Sequence, residues 1–180
     1  MISAIVYNSK TGSCERYAKE LSRKLVIPCY AQGSFRPRAD AKVIYVSWIM
    51  AGKVVGLSKA VKKMDVGAVV AVGMAPAGKK AAEAMRQASG LPAHVGFFLV
   101  QGGFHIDKLP LPMKLIMRWK VKDIAARLEE KKRTAPLSAQ EQATYEMAKR
   151  GDGEPAAWDV DEIVAWVMAE FDDEKILRQH

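Results

Sequence analysis

Ser9, Lys10, Thr11, Gly12, Ser13 and Cys14 form a short polar turn between an apolar run, Ile2 to Tyr7, and a stretch of helical spacing from Ser13 to Leu25. Three hydroxyls and one glycine at a helix start suit an anion, phosphate above all. The N–H groups of a helix's first turn have no partner within the helix, and the helix dipole adds positive charge at the same place. Gly12 allows close backbone approach or a positive φ. An ordinary strand-to-helix turn with an N-cap serine uses the same residues. The turn by itself therefore leaves phosphate binding and plain capping both open.

Two more stretches follow strand-like runs. Ser47, Trp48, Ile49, Met50, Ala51 and Gly52 come at the end of Lys42–Ser47, and Met74, Ala75, Pro76, Ala77 and Gly78 come after Ala68–Val72. For Trp48, one residue past its strand, and for Met50 and Met74, core packing is one reading and contact with a ligand at the strand ends is the other. Gly73 to Lys80 nearly writes a nucleoside-triphosphate loop. It has Lys80 where Ser or Thr must hold Mg²⁺, and the strand Val95–Val100 supplies no metal-binding Asp, so that reading is set aside.

Cys14 stands at a helix start, where the dipole lowers a thiol pKa and a bound phosphate would oppose that shift. With no second redox cysteine nearby, it reads as structural. Cys14 and Cys29 show no metal spacing, nor do His94, His105 and His180, so no metal site is expected. His105 reads as a surface histidine, with a proton role toward a substrate as the alternative.

The elements that must position these residues alternate. Tyr17, Ala18, Leu21 and Leu25 mark one face of the first helix. Val26–Ala31 suggests a short strand, Gln32–Ala41 a loop, Lys53–Lys63 a helix through Val54, Leu57 and Val61, and Lys79–Ser89 a helix packing Ala81, Ala84, Met85 and Ala88. Strands apolar on both faces, separated by short helices, describe a parallel sheet covered on both sides, with its ligand at the carboxyl ends of the strands.

After Gln101 the alternation stops. Gly102, Gly103, Pro110 and Pro112 punctuate a turn, and Met113–Arg133 reads as a long amphipathic helix through Met113, Ile116, Met117, Val121, Ile124 and Leu128. Ser138 with Glu141 writes a capping box for a helix to about Lys149. Gly151–Pro155 reads as a linker. Asp159 opens a last helix carrying Val160, Ile163, Val164, Val167, Met168 and Phe171.

With 180 residues, 49% of them hydrophobic, the chain suits one domain, residues 1–180. Its net charge of +8 is uneven. Residues 1–103 carry 15 basic against 5 acidic side chains, 104–150 carry 11 against 6, and 151–180 carry 2 against 9. A basic surface attracts phosphates, anionic lipid or an acidic partner. Nucleic acid is disfavoured, because no stacking-aromatic pattern accompanies the charge. The basic 113–133 helix with Trp119 suits either an anionic membrane surface or its own domain. Two scattered cysteines, no spanning run and no signal-like start point to a reducing, cytoplasmic setting, with the inner membrane face as a peripheral option.

The turn Ser9-Lys10-Thr11-Gly12-Ser13-Cys14 after a first strand resembles the flavodoxin phosphate loop, matching it at Ser9, Thr11 and Gly12 and departing at Cys14, where the family has a hydroxyl. Within flavodoxin-like proteins the chain is similar to the menaquinone-dependent protoporphyrinogen IX dehydrogenases. The stretches that carry this are Val46 to Lys53, Gly102-Gly103-Phe104 leading into Leu111 to Met117, and Trp158-Asp159. The resemblance implies an α/β, flavodoxin-like five-stranded parallel sheet of order 2-1-3-4-5, helices on both faces, and a helical insertion over 104–150 after strand 5. It implies FMN as the redox centre, held by the three turns above, and a quinone or an acidic redox protein as partner. Quinone-linked oxidation of a protoporphyrinogen-like substrate and simple electron carriage both fit it.

Overall fold

The computed structural model describes residues 1–36, 41–74, 78–155 and 157–177. Strands β1 (Ile2–Asn8), β2 (Cys29–Ala31), β3 (Lys42–Met50), β5 (Asp65–Gly73) and β6 (Gly96–Gln101) pair in parallel in the order β2-β1-β3-β5-β6. A short strand, β4 (Lys53–Val54), adds to β3 antiparallel. The sheet therefore carries six strands rather than the expected five.

Why the strands read as unbroken apolar runs is clear from their two faces. Ile44, Val46, Ala68 and Val70 point into one core with α1 (Ser13–Leu25) and α6 (Asp161–Leu177). Their alternates Val43, Tyr45, Val69 and Ala71 point into a second core with α2 (Leu57–Lys63) and α3 (Lys79–Ala88). Both faces are covered, so each central strand has no polar side to show.

The first helix matches its spacing, with Tyr17, Ala18, Leu21 and Leu25 all buried. Tyr17 Oη donates to the Gln101 carbonyl at 2.8 Å, tying α1 to the end of β6.

Four expectations are corrected. β3 runs to Met50 instead of ending at Ser47, because Ile49 and Met50 pair with Val54 and Lys53 across a two-residue turn. Both turn residues, Ala51 and Gly52, have positive φ, the geometry that matches strand twist in the tightest hairpins. The helix expected from Lys53 begins only at Leu57, since Gly56 with φ 78° breaks the chain just before it. In α3, Ala82 is buried while Ala81, Ala84 and Ala88 are exposed. Ala82 and Met85 turn toward the second core, a rotation that four nearly equivalent alanines could not signal. In the expected linker, β8 (Asp152–Gly153) pairs with β7 (Phe104–His105).

The segment after β6 holds β7, a 3₁₀ turn at Ile106–Lys108, α4 (Leu111–Thr134), α5 (Ala139–Arg150) and β8. Pro112 sits in the first turn of α4, where a missing N–H costs nothing. The capping box forms as written: Ser138 Oγ accepts from Glu141 N–H and Glu141 Oε2 accepts from Ser138 N–H. A small core of Ile106, Val121, Met147 and Ala148 joins α4 to α5. At the start of α6, Asp159 Oδ1 accepts from Asp161 N–H at 2.9 Å. Val160, Ile163 and Val167 are buried there, while Met168 is exposed and Trp166 packs edge-on against Phe98. Among the described residues, no helix is long and apolar enough to cross a membrane.

Replacing Tyr17 by Phe strands the Gln101 carbonyl in a buried position. We expect a loss of about 1–2 kcal/mol in urea unfolding, seen as a lower midpoint with an unchanged slope.

Candidate functional site

A cavity of about 740 Å³ opens at the carboxyl ends of the parallel strands. Lys10, Thr11, Ser13 and Cys14 form one side of it. Trp48 to Gly52 and Met74 form a second, and Gly102, Gly103 and His105 a third. The last side is α4, which contributes Met113, Ile116, Met117 and Ile124, with Lys120, Asp123 and Arg127 among them.

At the α1 end, Gly12 takes φ 105°, and its N–H donates to Ser9 Oγ at 3.1 Å. No side chain caps α1, so its positive end opens toward the cavity lined by Thr11, Ser13 and Cys14. The Ser13 hydroxyl accepts from Gly103 N–H at 3.1 Å and is buried. Of the three hydroxyls, Ser9 and Ser13 thus brace the backbone, and Thr11 has no such tie among the described residues.

Cys14 lies in the core with 2% of its surface exposed. Burial pushes its thiol up to about 12, overriding the helix dipole that would lower it.

Trp48 lies inside β3 rather than beyond it, and it packs partly into the core that holds α1 and α6. Its indole Nε1–H is fully buried with no acceptor among the described residues. The Lys10 ammonium stands 5.3 Å from the Trp48 ring centroid and 3.6 Å from Met113 Sδ, spanning from the first turn to α4. Arg127 is paired with Asp123 at 3.1 Å, whereas Lys10 and Lys120 have no carboxylate partner among the described residues.

The remaining sequence candidates are placed as follows. Ser47 is wholly buried and donates to the Val55 carbonyl at 2.7 Å, so it holds the turn before α2 and does not reach the cavity. Ser9 borders a polar groove on the other side of the first turn, with Asn8, Gln32 and Lys59. Gly78 borders a groove along β6, between α3 and α6. Ala75, Pro76 and Ala77 lie outside the described residues, as does His180.

Residues to which the sequence reading gave no cofactor contact complete the site. Gly102 fits between Val72 and Ser13, where an added Cβ would stand 2.7 Å from Val72 Cγ1. The two adjacent glycines were the available signal. His105 is no surface histidine: its side chain is 13% exposed, with Nδ1 3.0 Å from Asp152 Oδ1 and Nε2 3.4 Å from Glu154 Oε1. The α4 face was legible as a stripe, but nothing local said what it faces. Among the described residues, no group of three or more His, Cys, Asp or Glu gathers as metal ligands would.

Chemically, the site offers a positive helix end and a lysine on one side and apolar walls with one unmatched donor on the others. No protein-family model, curated protein or solved structure matches the chain.

With its thiol at about 12, only about one Cys14 in ten thousand is thiolate at pH 8. Ellman's reagent should therefore leave Cys14 untouched in the native protein and find it only after denaturation. Rapid native modification of a Cys29→Ser variant would contradict this.

Proposed function

We propose that this chain is a flavodoxin-like, FMN-binding oxidoreductase that uses the cavity at the carboxyl ends of its strands. The observation that carries the reading is one space with an uncapped helix N-terminus on one side and apolar walls on the others. That division suits a phosphate joined to a flat ring. The parallel order β2-β1-β3-β5-β6 is compatible with a flavodoxin-like sheet, with the cavity where such sheets take their ligands.

The residues present fit the group. The first-turn N–H groups of α1, with Thr11, would hold the phosphate, while the buried Nε1–H of Trp48 offers a donor to a polar ring edge. Ile49, Met50 and Met74 supply apolar wall, and Met113 and Met117 exclude water from the α4 side. When bound, FMN supplies one- and two-electron transfer, and the chain supplies grip, shielding and charge.

An α4 wall favours a reaction partner with a large apolar surface, a quinone or a protoporphyrinogen-like substrate, entering beside the ring. The second reading is an electron carrier for an acidic redox protein. What favours it is the exposed pair Lys10 and Lys120 about the cavity, without carboxylate partners among the described residues.

Titration of the purified chain with FMN should quench flavin fluorescence with submicromolar affinity. Riboflavin should bind at least about tenfold more weakly, because it lacks the charge-assisted bonds of the phosphate, and Thr11→Val should weaken FMN by about tenfold. No binding at micromolar FMN would end the proposal.

Charge sets the second test. One unit charge about 6 Å from the ring, at an effective dielectric near 20, is worth roughly 3 kcal/mol. Basic surroundings stabilise the negative charge that reduction adds, so the two-electron midpoint potential should lie above that of an acidic carrier flavodoxin. It should fall in Lys10→Gln and Lys120→Gln. Turnover of a quinone or of protoporphyrinogen by the loaded protein separates the enzyme from the carrier.

A further inference from the structure

Helix α4 has two apolar faces, and only one of them is used by the fold. Met113, Met117 and Ile124 face the cavity, and Val121 is buried against α5. On the opposite side Leu111, Leu115 and Trp119 repeat every four residues and are 76, 63 and 69% exposed. Ile116, 60% exposed, lies at the border between that side and the cavity. Most exposed large hydrophobics on a folded surface are scattered, whereas these four fall within nine residues.

The charges around this face are mostly basic, with Asp107 the acidic exception at its N-terminal edge. Lys108, Arg118 and Lys122 flank it, and Lys108 and Lys122 have no carboxylate partner among the described residues. Arg118 shares Asp107 with Lys114 at the N-terminal edge.

We propose that the outward face of the first three turns of α4 seats the protein on an anionic lipid surface. Leu111, Leu115 and Trp119 would enter the headgroup boundary, with the basic side chains among the phosphates. An acidic protein would need the charge but not an aliphatic stripe, and a second copy of this chain would bring like charge to like. A bilayer of anionic lipid satisfies both features at once. The inference goes beyond the flavin reading and stands without it, since none of Leu111, Leu115 and Trp119 lines the cavity.

The test is flotation of the full chain, without added flavin, with vesicles of phosphatidylcholine alone and with about one quarter phosphatidylglycerol. We expect binding to the anionic vesicles, weakened by salt, and little to the neutral ones. Lys122→Gln should reduce partitioning about fivefold, and Leu115→Glu with Trp119→Glu should abolish it while circular dichroism is unchanged. Should that double variant unfold, Trp119→Phe serves instead: wild-type fluorescence should shift to the blue on anionic vesicles, and this variant should lose the shift while still floating. Failure to float with anionic vesicles overturns the proposal, as does flotation that the double substitution leaves intact. A dimer in size exclusion that the same substitution converts to monomer would overturn it too, by making this face a contact between copies. FMN affinity should be the same in all these variants, so failure here and failure of the flavin reading are distinguishable.

Discussion

Gln101, the last residue of β6, is where the sheet is tied to everything around the cavity. Its carbonyl accepts the Tyr17 hydroxyl of α1, and its side-chain amide donates to Thr144 Oγ1 of α5 at 2.7 Å. The next two residues continue the junction: Gly102 N–H donates to the Gly73 carbonyl, and Gly103 N–H to Ser13 Oγ. Buried polar groups are costly unless matched, so these bonds hold one arrangement against its neighbours. They set where the start of α1, the end of β5 and the α4–α5 pair stand relative to one another. The cavity is the space those three leave.

Because the junction fixes the α4–α5 pair from the α5 side, α4 is free to present two different faces. Its contact with α5 is strengthened away from the cavity by Tyr145, whose hydroxyl donates to Glu129, and by Lys131 paired with Glu141 at 2.5 Å. Docking on the domain and an outward apolar face are therefore compatible in one helix. A helix of 24 residues is long enough to cover a cavity with part of its surface and to leave another part unmatched.

Electrostatics near the first turn is decided by burial as much as by the dipole. The same helix start that favours an anion also carries Cys14, yet the thiol is raised because it faces the core while the N–H groups face the cavity. Two effects of opposite sign act within one turn. Side-chain direction separates them. Lys10 adds a charge across the mouth, resting between the Trp48 ring and the Met113 sulfur.

By itself the sequence determined the alternation of strand and helix, the two-sided burial of the sheet, the inward face of α1 and the capped start of α5. Each of these depends on periodicity or on residues three or four apart, which local physics governs. It also marked most of the cavity's first two sides, because a glycine turn after a strand is a local signal. What it could not determine was contact. Ser13 meets Gly103 across 90 positions, Lys10 meets Met113 across 103, and His105 meets Asp152 across 47. Trp48 stays inside β3 because it pairs with Val72 of β5, and the rotation of α3 likewise follows from packing on a core built by strands distant in the chain. Only the tertiary structure decided that the α4 stripe closes the cavity and that its other side faces outward, because one helix pattern is compatible with many neighbours and packing selects among them.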